Sequence, residues 1–269
     1  MKSYKTPLFN FYHLKTETPS SSDFHKHMHN GCEFLYFLNG EADFVINAST
    51  YHMKKRDFLL IHPGDYHYLI PTSPVPYERI CMHFSESVIP KQFLSLLPKL
   101  KSVYHIHKHS TIDNIFSSLL LSSDENNYAT QDILFLIEQN IGVILTHLKY
   151  LQEESLVPSE TNQLINDIID YIDANIESNI NIDVLSRKFF KSSSWIAHNF
   201  ANTLKIPIQQ YINNRKIVYG QALILNGAQP TKVASRLGFN NYSTFFKAYR
   251  KFLGKSPMED LVSTHKMQL

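Results

Sequence analysis

The sequence predicts an α+β protein of two domains, with a small β-sandwich or barrel at the N-terminus and an all-helical C-terminal region. Its 269 residues are enough for two domains. Short strand-like segments occupy residues 24–83, whereas every periodic segment from Thr161 onward is helical. The charge divides in the same way. Residues 179–269 carry 13 basic residues (Lys and Arg) and three acidic residues, whereas the preceding 178 residues carry 13 basic and 21 acidic residues. The basic part therefore suggests a polyanionic partner.

Turn signals separate the predicted strands. The segment CEFLYFL ends at Asn39-Gly40, a pair typical of hairpins. ADFVINASTYHM follows with partial alternation, and DFLLIHPGDYHYLI is divided by Pro63-Gly64. Strands at about ten-residue spacing predict a β-sandwich or barrel. We assign residues 1–110 to this domain.

Residues 111–157 are predicted to form helices between the two domains. An apolar seam with three- and four-residue steps runs through QDILFLIEQNIGVILTHLKYLQEE, at Leu134, Ile137, Ile141, Ile144, Leu148 and Leu151. The seam is compatible with a helix that covers the barrel's own core, with a dimerisation helix, or with both. The segment SLVPSET then indicates a linker, so the third region is placed at 158–269.

The C-terminal region is predicted to contain seven helices, near 162–177, 182–190, 193–204, 207–225, 230–237, 242–253 and 257–263. Proline at 207, 230 and 257 suits the first turn of a helix. Gly254 suits a C-terminal stop. Ser256 and Glu259 form a capping box.

The segment VASRLGFNNYSTFFKAYRKFLGKSP predicts a helix-turn-helix. A short helix ends at Gly238, where the turn favours a residue without Cβ, and Phe239 fills the angle between two helices. The next helix buries one stripe and presents a polar face. The buried stripe is Phe245, Tyr249 and Phe252, and the polar face is Tyr242, Thr244, Lys247 and Lys251. In such a motif the N-terminal part of the second helix enters the major groove.

The same pattern recurs upstream in IDVLSRKFFKSSSWIAHNFANTLKIPIQQYI, with a turn at Lys191-Ser192 and with Ile196 and Phe200 buried. The two units are joined by PIQQYINNRKIVYGQALILNG, whose roughly 19 helical residues would span about 28 Å. Such a connector can set two recognition helices near one DNA turn apart, about 34–36 Å.

From Thr161 to the C-terminus the sequence resembles the AraC/XylS family of bacterial transcription regulators. The matching positions of the first unit are Leu185, Ser192, Ile196, Phe200, Pro207, Tyr211, Arg215, Ala222 and Leu223. Those of the second unit are Ala234, Gly238, Phe239, Ser243, Phe245, Tyr249, Gly254, Ser256 and Pro257. The resemblance implies two helix-turn-helix units that read successive major-groove segments, and activation through contact with RNA polymerase.

The resemblance also implies particular DNA contacts. Base-reading positions map to Ser194, Ala197 and His198 in the first unit and to Tyr242, Ser243, Thr244 and Lys247 in the second. Candidates for phosphate contacts are Lys191, Asn241, Arg250 and Lys251.

Three positions depart from the family pattern. Ser186 stands where Ala is usual. Lys205 stands where Gly is usual, which predicts about 1 kcal/mol of backbone strain. Phe246 replaces a small polar residue on the second recognition helix, where it would contact a thymine methyl or a neighbouring element.

The N-terminal region contains His27-x-His29-x3-Glu33-x6-Gly40 and, later, Gly64-x2-His67. These resemble the two motifs of the cupin superfamily and imply a jelly-roll β-barrel with these side chains inside. On one strand, residues 27, 29 and 33 would share a face. The departures from the second motif are Arg56, His62 and Pro71.

Three interpretations of these residues remain open: an effector pocket, a metal site, and structural histidines. AraC-like regulators commonly keep the barrel as an effector module, so we predict effector binding by His27, His29, Glu33, His67 and Tyr36, and no cofactor. The three histidines and Glu33 would also suit Mn, Fe, Ni or Zn. A polar pocket suits a sugar, whereas Phe34, Tyr36, Phe37 and Phe44 would suit a fatty or aromatic effector if they are not core.

Taken together, the sequence predicts an effector-responsive transcription regulator of carbohydrate-related genes that binds double-stranded DNA as a homodimer. The alternatives are a metal-dependent cupin enzyme with a DNA-binding tail and a ligand-independent activator. The sequence has no apolar run of about 18 residues and no apolar signal core. Its two cysteines lack metal-type spacing. We therefore predict a cytoplasmic protein without membrane contact.

Overall fold

A computed structural model describes residues 2–6, 9–20, 23–124 and 128–267. The chain divides into two compact units, Met1–Thr161 and Asn162–Leu269. The first unit is rich in β-strands and the second is helical, which confirms the predicted α+β class. The helices predicted at 111–157 lie within the first unit.

The first unit contains two antiparallel sheets. The strands are β1 (Lys2–Lys5), β2 (Phe9–Thr16), β3 (Cys32–Asn39), β4 (Ala42–Ile46), β5 (Ser49–Met53), β6 (Asp57–Ile61), β7 (His67–Pro71), β8 (Tyr77–Phe84), β9 (Val103–His105) and β10 (Glu160–Thr161). One sheet has the order β1-β2-β8-β3-β6-β9, and the other has the order β10-β5-β4-β7. The predicted turns lie at Gly40 and Gly64, which both adopt positive φ.

The two sheets pack face to face through one apolar layer. Successive side chains of a strand point to opposite faces, so Leu35 and Phe37 of β3 enter this layer and meet Phe44 and Leu69 from the other sheet. The layer positions the functional site, because the polar side chains at its end come from the same faces of the same strands.

The other face of the six-stranded sheet is covered by α1 (Lys91–Leu94), α2 (Thr111–Asp124) and α3 (Thr130–Tyr150). The apolar seam of α3 is buried in this layer: Ile137, Ile141, Ile144 and Leu148 have no exposed surface. The seam therefore covers the unit's own core and is not available as a dimer contact.

The second unit consists of α4 (Gln163–Ala174), α5 (Ile182–Phe189), α6 (Ser193–Leu204), α7 (Ile208–Leu225), α8 (Pro230–Arg236), α9 (Tyr242–Leu253) and α10 (Pro257–Met267). All seven predicted helices are present, and each begins within one residue of the predicted start. Local capping explains this agreement. Asn181, Ser192 and Asn241 each accept a backbone N–H of the first turn. The Ser256–Glu259 capping box is also formed.

Two buried polar groups join the helices of the second unit. The Lys216 ammonium donates to the carbonyl oxygens of Leu237, at 2.7 Å, and Ser178, at 3.1 Å. The Asp260 carboxylate accepts from Tyr249 and Gln221, at 2.5 and 3.0 Å. Both groups lie where α7 meets its neighbours, so hydrogen bonds as well as apolar contacts fix its position.

Among the described residues, none of the helices combines the length and the apolar character that crossing a bilayer requires.

Candidate functional site

A cavity of about 340 Å³ lies in the first unit, between the two sheets. Its polar end and its aromatic walls come from both sheets and from the segment that precedes β3. The lining residues are Tyr12, Asp23, Phe24, His25, His27, Glu33, Leu35, Phe44, His67, Tyr68, Leu69 and Arg79. Its volume is near the lower end of small-molecule pockets, about 300–1,000 Å³.

Four of the predicted site residues meet at one end of this cavity. His27, His29, Glu33 and His67 each offer a ligand atom, and these atoms lie within 4.8 Å of one another. The prediction that 27, 29 and 33 share one strand is wrong, because β3 begins only at Cys32. Backbone hydrogen bonds hold the preceding segment instead: His27 pairs with His67, and the N–H of Gly64 donates to His29.

The histidines of this cluster are oriented by the backbone. Nδ1 of His27, His29 and His67 lies 2.8, 2.9 and 2.9 Å from the carbonyl oxygens of residues 25, 31 and 65 respectively. A carbonyl oxygen only accepts, so each Nδ1 carries a proton, and Nε2 of each ring is left for Glu33 or for a ligand. The cluster therefore brings three imidazole Nε2 atoms together with one carboxylate.

The Glu33 carboxylate is buried and stays ionised. Its Oε2 lies 3.3 Å from Nε2 of His29 and 3.5 Å from Nε2 of His67. Burial acts to raise the pKa of this carboxyl, but the two imidazoles beside it outweigh burial, and the pKa lies well below its ordinary value. Burial, followed by the neighbouring His67 ring, lowers the pKa of His27 to about 4. The cluster thus holds a negative charge on Glu33 beside the imidazole rings.

His83 belongs to this cluster, although the sequence analysis did not select it. It lies opposite Glu33 in the pairing of β3 with β8, and its ring is 4.3 Å from that of His29. Burial, followed by the His29 ring, lowers its pKa to about 4. The cross-strand register that reveals His83 was not visible in the sequence. Gly31 makes room for this ring, because a Cβ at that position would lie 2.7 Å from Nε2 of His83.

Two residues that line the cavity have unsatisfied polar atoms. Within the described ranges, Nε2 of His67 and Nε of Arg79 are buried without a hydrogen-bond partner. Buried polar atoms in native proteins normally have partners. A bound molecule or ion in this cavity would supply them.

Tyr36 lies outside the cavity, which corrects its assignment to the effector site. Glu33 and Tyr36 are three residues apart on β3, so their side chains point to opposite faces of the sheet. The Tyr36 hydroxyl donates to Asp113 of α2 at 2.6 Å, and its ring stacks on Phe116. Tyr36 therefore connects the sheet to α2.

The four clustered residues also fit a divalent metal ion. Three imidazoles and one carboxylate suit Mn, Fe, Ni or Zn. Backbone carbonyls that hold Nδ1–H and aim Nε2 are the usual outer shell of metal-bound histidine. His27, His29 and His67 would contribute Nε2, and Glu33 would contribute its carboxylate.

The predicted base-reading residues of the first unit lie on α6. Ser194 and His198 are exposed and Ala197 is half-buried, whereas Ile196 and Phe200 are buried on the other face. Nε2 of His198 accepts from the side-chain amide of Asn202, at 2.8 Å.

The exposed face of α6 also carries Trp195, which the sequence analysis did not select. It is the single tryptophan of the chain, and the ammonium of Lys191 lies over its ring, 5.3 Å from the centroid. Its place in the first turn of a predicted recognition helix was the sequence signal that could have identified Trp195 as a candidate.

The predicted contact residues of the second unit lie on α9. Ser243, Thr244, Lys247, Arg250 and Lys251 are exposed. Tyr242 is half-buried and packs its ring near Phe245 and Phe246. Asn241 serves as the helix cap, because its Oδ1 accepts from the N–H and the hydroxyl of Thr244. That oxygen is therefore already engaged in capping.

Left-handed residues bound α6 on both sides. Lys205 adopts φ 59°, as its place at a usual glycine position predicts. Phe190, in the turn before α6, adopts φ 53° with 93% of its surface exposed. Such a conformation is uncommon for a bulky residue.

Comparison with known proteins supports both units. A family model described as an AraC-like ligand binding domain matches residues 14–136, and one described as a helix-turn-helix domain matches residues 185–261.

Two relatives have comparable names. The uncharacterized HTH-type transcriptional regulator YdiP of Escherichia coli K12 is 22% identical over 95% of this chain and 86% of its own length. The uncharacterized HTH-type transcriptional regulator SAR0107 of Staphylococcus aureus MRSA252 is 21% identical over 92% of this chain, which spans only 33% of that longer protein. Both are named as transcriptional regulators.

Among solved structures, ToxT from Vibrio cholerae O395, crystallised with (E)-4-(8-methylnaphthalen-1-yl)but-3-enoic acid, is 14% identical. The alignment covers 96% of this chain and 99% of ToxT, with a TM-score of 0.42.

We predict that Gly31→Ala disrupts the cluster. The added Cβ would lie 2.6 Å from the carbonyl oxygen of Phe84, a backbone atom that cannot rotate away. Unfolding in urea should show a loss of about 1–3 kcal/mol in the first unit. Gly142→Ala in α3 is the matched control, since its Cβ would meet only the Pro90 side chain. Equal stabilities of the two variants would contradict the assigned packing.

Proposed function

The chain belongs to the AraC/XylS family of transcription regulators, and on that premise we propose that its cavity binds a polyhydroxylated effector that controls DNA binding by α6 and α9. That the protein is a transcription regulator with a ligand-binding and a DNA-binding domain follows from the family matches. The effector class, the contact residues and the dimer contact are our proposals.

The convergence of polar atoms at one end of the cavity carries the effector proposal. The Glu33 carboxylate accepts hydrogen bonds, and a hydroxyl group both donates and accepts, so hydroxyl groups can pair with Glu33 and with Nε2 of the clustered histidines. Aromatic rings of Phe24, Phe44 and Tyr68 line the rest of the cavity and suit the apolar face of a sugar ring. A sugar or sugar derivative therefore fits both the polar end and the walls. By this argument the protein controls carbohydrate-related genes.

The exposed faces of α6 and α9 support the DNA-binding proposal. We assign base contacts to Ser194 and His198 on α6 and to Ser243, Thr244 and Lys247 on α9; the half-buried Ala197 and Tyr242 stay secondary candidates. Lys191, Arg250 and Lys251 are proposed to contact phosphates, together with the backbone at Asn241. A regulator that binds the bacterial chromosome acts in the cytoplasm, and an activator of this family contacts RNA polymerase.

We place the homodimer contact on the exposed face of α3. Phe135 and Tyr150 are 60% and 75% exposed, and Val143 is also exposed. At 100° per residue these three lie within about 80° of one another around the helix. This stripe is separate from the buried seam, so a second copy can cover it without disturbing the core.

The central experiment measures DNA binding by fluorescence anisotropy, with the full chain and a labelled fragment from upstream of its own gene. The panel of compounds contains neutral sugars, sugar acids, sugar phosphates, and Mn²⁺ or Zn²⁺. At least one sugar-class compound should change the Kd by about 5- to 150-fold. Glu33→Gln should abolish this change, whereas His52→Gln, an exposed histidine paired with Asp43 outside the cavity, should retain it. A response to the metal ions alone would replace the sugar proposal by a metal-ion effector.

Lys247→Ala should weaken binding to the specific fragment about ten- to hundredfold, because it removes a base contact. Binding to unrelated DNA should change little. The double variant Arg250→Gln/Lys251→Gln should weaken both by similar factors and reduce the salt dependence of binding. Lys149→Ala, an exposed lysine in the first unit, is the charge-matched control. If Lys247→Ala binds the specific fragment as tightly as the natural chain does, Lys247 does not contact the DNA.

The double variant Phe135→Asp/Tyr150→Asp should be monomeric in sedimentation velocity at concentrations where the natural chain is dimeric. The added charges would oppose each other and lose their water at an apolar contact. Val157→Asp, at another exposed apolar residue of the same unit, should remain dimeric. A dimeric double variant would place the contact on another surface.

A further inference from the structure

Arg79 is a charged group of the cavity that the hydroxyl contacts do not use. β8 places it on the same face as Cys81 and His83, toward the space between the sheets. Its guanidinium lies over the rings of Phe24 and Tyr77, 5.3 and 5.2 Å from their centroids. Nη1 donates to the Tyr77 hydroxyl at 3.0 Å. The guanidinium is therefore held in place at the aromatic end of the cavity.

No carboxylate of the described part of the chain forms an ion pair with Arg79. Its side chain donates a hydrogen bond to the neutral Tyr77, and its buried Nε has no partner among the described residues. Asp23 also lines the cavity, but its Oδ2 accepts from the backbone N–H of Ser20. A guanidinium stays protonated at every physiological pH. The Glu33 carboxylate attracts this charge and helps to raise the pKa of Arg79, but it forms no ion pair with the guanidinium.

The cavity thus has two chemically different ends. In the sheet, Arg79 lies opposite Phe37, whereas His83 lies opposite Glu33. Residues 79 and 83 are four residues apart on β8, so their backbone positions are about 13 Å apart. The Glu33 end offers acceptors, and the Arg79 end offers donors and a positive charge. A neutral sugar would satisfy the hydrogen bonds of the Glu33 end and leave Arg79 without an ion pair.

We propose that the effector is an anionic sugar derivative, whose carboxylate or phosphate pairs with Arg79 while its hydroxyl groups bind at the Glu33 end. This inference rests on the proposed effector function of the cavity. A guanidinium binds either anion through two parallel hydrogen bonds, which an ammonium or a neutral side chain does not reproduce. The volume of about 340 Å³ limits the effector to a small molecule.

The test measures thermal unfolding of the full chain with glucose, glucuronate, gluconate, glucose 6-phosphate and inorganic phosphate. The first three organic compounds separate neutral from carboxylate ligands, and the last two probe phosphate. At least one anion should raise the Tm of the natural chain, and glucose should not. Arg79→Met should weaken the binding of that anion about 10- to 100-fold. Lys15→Met, at an exposed lysine paired with Glu17, is the matched control and should respond like the natural chain.

The ligand-free proteins provide a second readout that does not depend on the choice of compounds. If Arg79 is kept for an anion, Arg79→Met removes a charge that forms no ion pair in the ligand-free protein, at similar volume, and the ligand-free Tm should stay level or rise. A structural role predicts a fall of several degrees instead, and that result would overturn the proposal. A neutral sugar that stabilises the natural chain and Arg79→Met equally would also overturn it, while leaving the effector function intact. If an anion binds only when Arg79 is present but does not change DNA binding, the contact between the anion and Arg79 is supported and the regulatory function is contradicted.

Discussion

The geometry of the DNA-binding unit depends on the packing of a single helix, α7, against both helix-turn-helix motifs. Near its start, Tyr211 contacts Phe200 of α6 with ring centroids 5.1 Å apart. Near its end, the backbone at Gly220 approaches the second motif so closely that a Cβ would lie 2.9 Å from Leu237. With 18 residues, α7 is about 27 Å long. Neither recognition helix can shift along α7 without opening a buried contact.

Polar contacts make this packing specific as well as stable. Apolar side chains alone tolerate small sliding movements, whereas a buried hydrogen bond is lost when its partner moves by an ångström. The Lys216 ammonium is bonded to a carbonyl at the end of α8, and Arg215 forms a 2.6 Å ion pair with Asp173 of α4. Gln221 donates to the buried Asp260 of α10. Three neighbouring helices are therefore each held to α7 by a directional contact.

The helices could be predicted from the sequence because their ends are encoded locally, by caps such as Asn241 and by Pro230 and Pro257. The cavity required information that a single chain segment does not carry. His83 joins Glu33 through the register of two strands about 50 residues apart, and nothing near His83 marks it. Tyr36 was assigned to the wrong face although strand parity alone would have excluded it. The apolar seam of α3 did not distinguish two arrangements. A helix that packs on the core of its own domain and a helix that packs on a partner chain show the same apolar periodicity.

The two helix-turn-helix motifs differ in where backbone strain is kept. In the second motif the left-handed positions before and after α9 are Gly238 and Gly254, which adopt φ 72° and 74° without Cβ strain. In the first, Phe190 and Lys205 occupy these positions around α6, at about 1 kcal/mol each. The Phe190 side chain is almost wholly exposed, so its own burial cannot offset the strain. The compensation has to come from the burial of Ile196, Phe200 and Leu204 of α6 against the neighbouring helices, α5 foremost, so the first recognition helix depends on its own partner helix as well as on α7.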